Sequence, residues 1–304
     1  QLTKKDRYDT EIAAVDTSIE RLLTGVRQAV EEGADTIITV GAVQSNHVRQ
    51  TAAAAAKLGM ACEVLLEHRI KEPSDAYMNS GNVLLDRMFG AKLHEYPGGT
   101  DFDAEMRAMA AGLRDKGKTP YIVPGGASNK VGALGYANCA LELINQATEQ
   151  GIVIDRIITA TGSAGTQGGL IAGLQALNSN VPLLGICVSI DARVQEEKVF
   201  ALAEETAEYL GAPGAVKRED VVANSDYVGP GYGERTDEMN EAVMLLARLE
   251  GPPGALGHQV GNGARLDLRG VEVGSDLRDQ SRGDLHAIEF LHNALNVPSC
   301  HSLR

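Results

Sequence analysis

Tryptophan is absent from the 304 residues, and all aromatics together make up only 4%. Glycine, by contrast, occurs 34 times. That mixture argues against a β-sandwich and for a tightly wound α/β enzyme. Excess positive charge is also lacking. The net charge of −13 would repel a polyanion, so nucleic acid is excluded as a partner. No apolar run approaches the roughly 18 residues of a membrane span, and no signal-peptide pattern opens the chain. Cys62, Cys139, Cys187 and Cys300 are too scattered for a metal set or a disulfide framework. The seven histidines lack i, i+4 pairs on one helix, so no metal is expected. There is no Gly-x-Ser-x-Gly elbow and no evident Ser/His/Asp set. The expectation is a soluble protein of a reducing compartment, the cytoplasm, with no membrane partner.

What is present is 43% hydrophobic residues, enough for a sizeable core, over a length that suits about two domains. Apolar β-branched runs at 36–40, 62–66, 92–96, 120–123, 156–161 and 182–188 predict strands. Helix-length segments at 47–58, 77–88, 103–116, 131–150, 166–177 and 193–210 lie between and after them, and 237–249 predicts a further helix. This alternation predicts parallel sheets with crossover helices. Pro124-Gly125-Gly126-Ala127-Ser128-Asn129 is the candidate crossing between domains. After Gly251 the chain is rich in Gly, Arg and Asp with weak periodicity, a composition of loop or poorly ordered chain.

Three stretches can carry chemistry. In "ATGSAGTQGGLIAGL" (160–174), a strand ends, small residues follow and a helix opens. The N–H groups of Gly162, Ser163, Ala164, Gly165 and Thr166 can converge on an anion with the helix dipole behind them. The loop is neither a Walker loop nor a dinucleotide fingerprint, and tight packing is its bland reading. In Gln44-Ser45-Asn46-His47, Ser or Asn can cap the next helix. Four polar side chains exceed what a cap needs, however, and they follow a strand, where open α/β sheets bind ligands. In "DYVGPGYGERTDEM" (226–239), Tyr232 stands on a glycine-rich turn, as a packing aromatic or as a phenol offered to a substrate.

Together, "GAVQSNHVRQTAAAAAKLG", "SGNVLLDRMFGA", "YIVPGGASNKVGALGY", "ATGSAGTQGGL" and "YVGPGYG" resemble the D-cysteine desulfhydrase and 1-aminocyclopropane-1-carboxylate deaminase family. The likeness runs from about residue 33 to 251. "PGGTDFDAEM", "GALGYANCALEL" and "REDVVANSDYVGPGYG" are most similar to its L-cysteate sulfo-lyase branch. The resemblance implies a two-domain tryptophan-synthase-β-like fold (fold type II) with open parallel sheets flanked by helices. It implies a smaller domain at 21–130 and a larger cofactor-binding domain from 1–20 and 131–304. It implies pyridoxal 5′-phosphate as cofactor, a small amino acid as substrate and a homodimer. Asn46 would bond the pyridoxal ring oxygen, and Gly162, Ser163, Ala164, Gly165 and Thr166 would cradle the phosphate. Ser45, with Gln44 and Tyr232, would meet the substrate, and Ser45 and Tyr232 would be catalytic. The cofactor supplies the electron sink, while the protein supplies anion binding, orientation and proton transfer. The implied reaction is a C–S lyase forming pyruvate and ammonia, or deamination of 1-aminocyclopropane-1-carboxylate.

The chain departs from this family at both ends. The family's cofactor-bonding lysine falls at Ser18, and a serine hydroxyl cannot condense with the cofactor's aldehyde. Lys4 and Lys5 fit the family pattern poorly, and Lys130 reads as a surface or loop residue. No Tyr follows Tyr232, and Asn293-Ala294-Leu295 stands where the family has glycines. Slipped reading frames would account for both departures. Codons compatible with residues 14–21, read two bases later, can spell Gly-Gly-His-Lys-His-Arg-Lys. Those of 258–265, read one base later, can spell Thr-Lys-Ser-Ala-Thr-Gly-Leu. The other reading is a catalytically inactive relic that binds a small anion.

Overall fold

The structure is a computed structural model and describes residues 28–231, 234 and 236–250. Ser18, Tyr232 and the segment 251–304 lie outside the described residues.

The first sheet is built from β1 (Thr36–Ala42), β2 (Ala61–His68), β3 (Lys92–Pro97) and β4 (Pro120–Val123), all parallel in the order β3-β2-β1-β4. The helices α1 (Asn46–Leu58), α2 (Asp75–Asn79), α3 (Gly81–Met88) and α4 (Phe102–Arg114) connect its strands. β1 reads TIITVGA and is buried almost throughout, as a central parallel strand covered on both faces must be. Its side chains alternate between two cores. Ile37 packs with Val48, Ala52, Val64 and Leu66 on one face, and Ile38 and Val40 pack with Leu65, Met106 and Ala110 on the other.

The second sheet holds β5 (Ile157–Thr161), β6 (Leu183–Cys187) and β7 (Val222–Asn224), parallel and in that order. It packs with α5 (Lys130–Gln150), α6 (Gly165–Ala176) and α7 (Ala192–Tyr209), and α8 (Asp237–Glu250) follows. The glycines and alanines find their use here. A Cβ on Gly173 would come within 2.7 Å of Ala137 Cα, and one on Gly169 within 2.7 Å of Tyr136 Cβ. Only a glycine face lets α6 lie this close to α5, whose Ala133, Ala137 and Ala140 face it.

The six expected strands are present, and their pairing is parallel. Two features differ from expectation. The segment 77–88 is two helices, because Ser80 is extended (φ −128°, ψ −176°) and Gly81 takes φ +62°. β7 has no counterpart among the expected strands: three residues are too few to show an alternation.

In the first sheet, β2 and β3 extend from one side of β1 and β4 lies on the other. The order therefore reverses at the β1–β4 pair. In an open α/β sheet, ligands bind outside the carboxyl ends of the strands at such a reversal. Here those ends deliver the turn 43–46 from β1 and the segment 124–129 from β4.

Candidate active site

Ser45 closes β1 into α1. Its Oγ accepts from the Val48 N–H at 3.2 Å, so it is the N-cap, and its hydroxyl proton remains to be donated elsewhere. The turn is tight against the strand: a Cβ on Gly41 would lie 2.8 Å from Ser45 Oγ and 2.7 Å from Val48 Cγ2. Gln44 is buried. Its Nε2 donates to the carbonyls of Tyr77 and Ser80, and its Oε1 accepts from the Asn82 N–H. The amide of Gln44 thus holds the α2–α3 junction. Asn46 opens α1, and its Oδ1 accepts from Asn82 Nδ2 at 2.8 Å. Asn82 was not singled out beforehand. It stands in the quoted "SGNVLLDRMFGA", but it lies 36 residues away and nothing in that stretch says what it faces.

His47 shares a hydrogen bond with Thr39 Oγ1 at 2.8 Å, and Thr39 donates its one proton to the Val123 carbonyl at 3.0 Å. His47 Nε2 must therefore be the donor, which fixes the tautomer. Burial pushes the imidazole down to about 4, so it is neutral at pH 7. Behind the turn, Asp86 is fully buried and neither carboxylate oxygen has a hydrogen-bond partner among the described residues. Burial raises its carboxyl to about 7 against the pull of Arg49 and Arg87.

The segment after β4 runs between this turn and the glycine loop. The 3-10 turn Gly125–Ala127 touches both β1 and α1. A Cβ on Gly126 (φ +70°) would lie 2.8 Å from Ser163 Cβ. Ser128 Oγ accepts from the Gly165 N–H at 3.3 Å. Residues 124–129 thus contact both the turn after β1 and the glycine loop.

The glycine loop leaves β5 and opens the 12-residue α6. Ala164 is buried and held at φ +79°, a left-handed conformation that costs a non-glycine residue about 1 kcal/mol or more. α6 has no side-chain cap. The N–H groups of Ser163, Ala164, Thr166 and Gln167 have no hydrogen-bond partner among the described residues. A helix start with open donors and a dipole behind them binds an anion. The Thr166 hydroxyl interacts with the phenol of half-buried Tyr136, whose pKa is pushed up by desolvation. Tyr136 was missed as well, though it stands in the quoted "VGALGY". Two groups of α7 hold the loop from behind: Gln195 Nε2 donates to Thr161 Oγ1 at 2.8 Å, and Lys198 Nζ donates to the Gly162 carbonyl at 3.1 Å.

These residues fit two parts of pyridoxal phosphate. The unpartnered N–H groups of the glycine loop suit its phosphate, and the donor end of Asn46 suits its ring oxygen. The covalent anchor and the tyrosine expected against the substrate, at Ser18 and Tyr232, lie outside the described residues. Lys130, at the start of α5, is paired with Glu205 at 3.5 Å and lies 5.7 Å from the centroid of the Tyr209 ring. Among the described residues, no group of three or more His, Cys, Asp or Glu is placed to hold a metal ion. No helix among them is long and apolar enough to cross a membrane.

Comparison with known proteins places these features in a family. The chain is 42% identical to the D-cysteine desulfhydrase of Salmonella typhi over 242 residues, 80% of this chain and 73% of that protein. The likeness to the D-cysteine desulfhydrase of Salmonella newport (strain SL254) has the same extent. A solved structure described as an ACC deaminase homologue matches with a TM-score of 0.65 at 32% identity, covering 75% of this chain and 68% of that one. O-ureido-L-serine synthase, at 19% identity and a TM-score of 0.50 over 81% of this chain and 76% of that one, shares the fold. The model of the family described as "Pyridoxal-phosphate dependent enzyme" matches residues 16–258, and the chain, with its fold-type-II architecture of parallel sheets flanked by helices, belongs to that family.

Proposed function

We propose that this chain is a pyridoxal-phosphate dependent lyase that cleaves the C–S bond of a small amino acid, L-cysteate or D-cysteine. Water is consumed. The products are pyruvate and ammonia, with sulfite from L-cysteate or sulfide from D-cysteine. The observation that carries this reading is the likeness to D-cysteine desulfhydrases over 80% of the chain, beside a family match at 16–258 that spans both the turn after β1 and the glycine loop. The partition into a smaller domain at 21–130 and a larger one from 1–20 and 131–304 is part of the same reading. It is supported by the separate cores of the two sheets. A homodimeric assembly and a cytoplasmic setting belong to the same reading.

In this reading the N–H groups of Gly162–Thr166 hold the cofactor phosphate, and the α6 dipole adds to the attraction. Asn46 donates to the ring oxygen. Ser45, its oxygen engaged by the Val48 N–H, offers its proton to the substrate carboxylate. Tyr232 faces the substrate. When bound, the cofactor supplies an electron sink for the pair left as the α-proton departs.

Two other readings have their own support. Deamination of 1-aminocyclopropane-1-carboxylate is favoured by the match to the ACC deaminase homologue. An inactive small-anion binder is favoured by serine at position 18. One experiment separates them: the purified chain with pyridoxal phosphate is given L-cysteate, D-cysteine or 1-aminocyclopropane-1-carboxylate. Pyruvate with sulfite or sulfide supports the lyase and names its substrate. A 2-oxobutyrate product from the third compound identifies the deaminase. No product from a folded chain that still binds the cofactor leaves the binder.

A further inference from the structure

We propose that Asn82 is a positioning residue that fixes the amide of Asn46 as a pure donor, so that this end of the site selects an acceptor oxygen on the pyridine ring. The inference rests on the cofactor reading above and goes beyond it in assigning the selectivity to a residue that touches no ligand.

The polarity of the network follows from groups that cannot change theirs. Backbone carbonyls only accept. Gln44 Nε2 lies 2.5 Å from the Tyr77 carbonyl oxygen and 2.9 Å from that of Ser80, so the nitrogen of this amide must face them. Gln44 Oε1 is then turned to the Asn82 N–H at 2.8 Å. The Asn82 amide lies 2.9 Å from the Gln44 carbonyl oxygen, so it too must present its nitrogen there. The same nitrogen directs its second hydrogen at Asn46, 2.8 Å away. Asn46 is obliged to answer with Oδ1. Its Nδ2 is left with both hydrogens and has no hydrogen-bond partner among the described residues.

The backbone enforces the arrangement. Gly81 at φ +62° begins α3 beside Gln44, and a Cβ there would lie 2.6 Å from Gln44 Oε1. This bend brings the first turn of α3 to the turn after β1. A lone Asn46 could rotate its amide by half a turn and accept from a ring hydroxyl as readily as donate to a ring oxygenate. Tied to Asn82, it can only donate. Its place in the first turn of α1 adds the positive end of a helix dipole.

The test uses pyridoxine phosphate, which has the ring, its oxygen and the phosphate but no aldehyde, and 3-deoxypyridoxine phosphate, which lacks the ring oxygen. Neither condenses with a lysine, so position 18 does not enter. The full chain should bind the first about tenfold or more tightly than the second, the scale of a hydrogen bond to a charged acceptor. Asn82→Ala should bring that ratio close to one while affinity for the 3-deoxy compound stays within about twofold. Asn82→Asp, whose carboxylate would claim the Asn46 donor, should bring it to one or below, and it serves if the alanine variant does not fold. An unchanged ratio in the folded variants overturns the proposal. So does an equal loss of affinity for both compounds, which marks a merely structural residue. If the unaltered chain binds both compounds equally well, Asn46 selects nothing and the proposal fails while phosphate binding stands. If it binds neither, the cofactor reading fails, and this inference with it.

Discussion

Gln195 Nε2 donates to Thr161 Oγ1 at 2.8 Å with both residues buried, directly behind the point where β5 gives way to the glycine loop. Its other amide atom, Oε1, has no hydrogen-bond partner among the described residues. A fully buried polar side chain satisfied on one side only is a costly way to hold a loop. Its place here matches that of Lys198, one turn later on α7, which ties down the next carbonyl. The glycine loop is therefore anchored by a helix that the motif itself does not include.

Gln195→Ala should lower stability by about 2–4 kcal/mol, because it empties a packed site and leaves Thr161 Oγ1 unpaired. Gln195→Leu should cost less, since it removes the unpaired acceptor and keeps most of the volume. Urea denaturation of the two variants beside the unaltered chain checks the order. Equal losses would mean that the hydrogen bond contributes nothing beyond packing.

Asp86 and His47 should give opposing pH dependences that partly hide each other. The carboxyl of Asp86 rises from 3.8 to about 7 on folding, so the native state binds the extra proton and stability falls as pH rises from about 4 to 7. The imidazole of His47 drops from 6.5 to about 4, so the unfolded state binds the extra proton and stability rises with pH from about 4 to 6.5. Each effect reaches at most roughly 3–5 kcal/mol. Asp86→Asn should leave a stability that climbs with pH across this window, and His47→Gln one that declines. Denaturant midpoints at pH 4.5, 5.5 and 7 measure both slopes, and parallel profiles for the two variants would refute the assignment.

Gly41 is where the strand meets its own cap. Gly41→Ala would press a methyl group to 2.7 Å from Val48 Cγ2 and 2.8 Å from Ser45 Oγ. The turn must shift, at about 1–3 kcal/mol, and Asn46 moves with it. The expected outcome is a lower melting temperature together with weaker binding of pyridoxine phosphate. Gly169→Ala, which clashes with the Ala133 carbonyl in the α5–α6 contact, should lower the melting temperature too, with a smaller effect on pyridoxine phosphate affinity.

Much of this fold is legible from local pattern. The run 36–40 is apolar and β-branched, and it is a strand because both faces of a central parallel strand are buried. The same logic finds the other five strands but not Val222–Asn224, whose strand character comes from pairing with β6 rather than from its own sequence. The break at Ser80 is likewise set from elsewhere, by the Gln44 amide that binds the Tyr77 and Ser80 carbonyls. In the site, the glycine loop and the polar turn announce themselves because each is contiguous. Asn82, Gln195 and Lys198 do not. They act on those stretches across 36, 34 and 36 residues of chain, and an Asn or Lys in a helix carries no mark of what it faces.

The serine at position 18, where the resemblance puts the family's lysine, gives the most direct prediction. Of the described lysines, Lys130 was the one to weigh as a replacement. Its ammonium is ion-paired with Glu205 at 3.5 Å and lies beside the Tyr209 ring, so the side chain is already engaged at the start of α5. Lys198 is held at the back of the loop by the Gly162 carbonyl. Incubation with pyridoxal phosphate, reduction with borohydride and mapping of the pyridoxylated peptides should therefore show no single preferred lysine between residues 28 and 250. A stoichiometric label on Lys130 would make that residue the anchor and refute the reading of its ion pair. A label on Lys4 or Lys5 would show that the amino-terminal stretch supplies the amine from a position the family pattern does not mark, and that Ser18 leaves the chemistry intact.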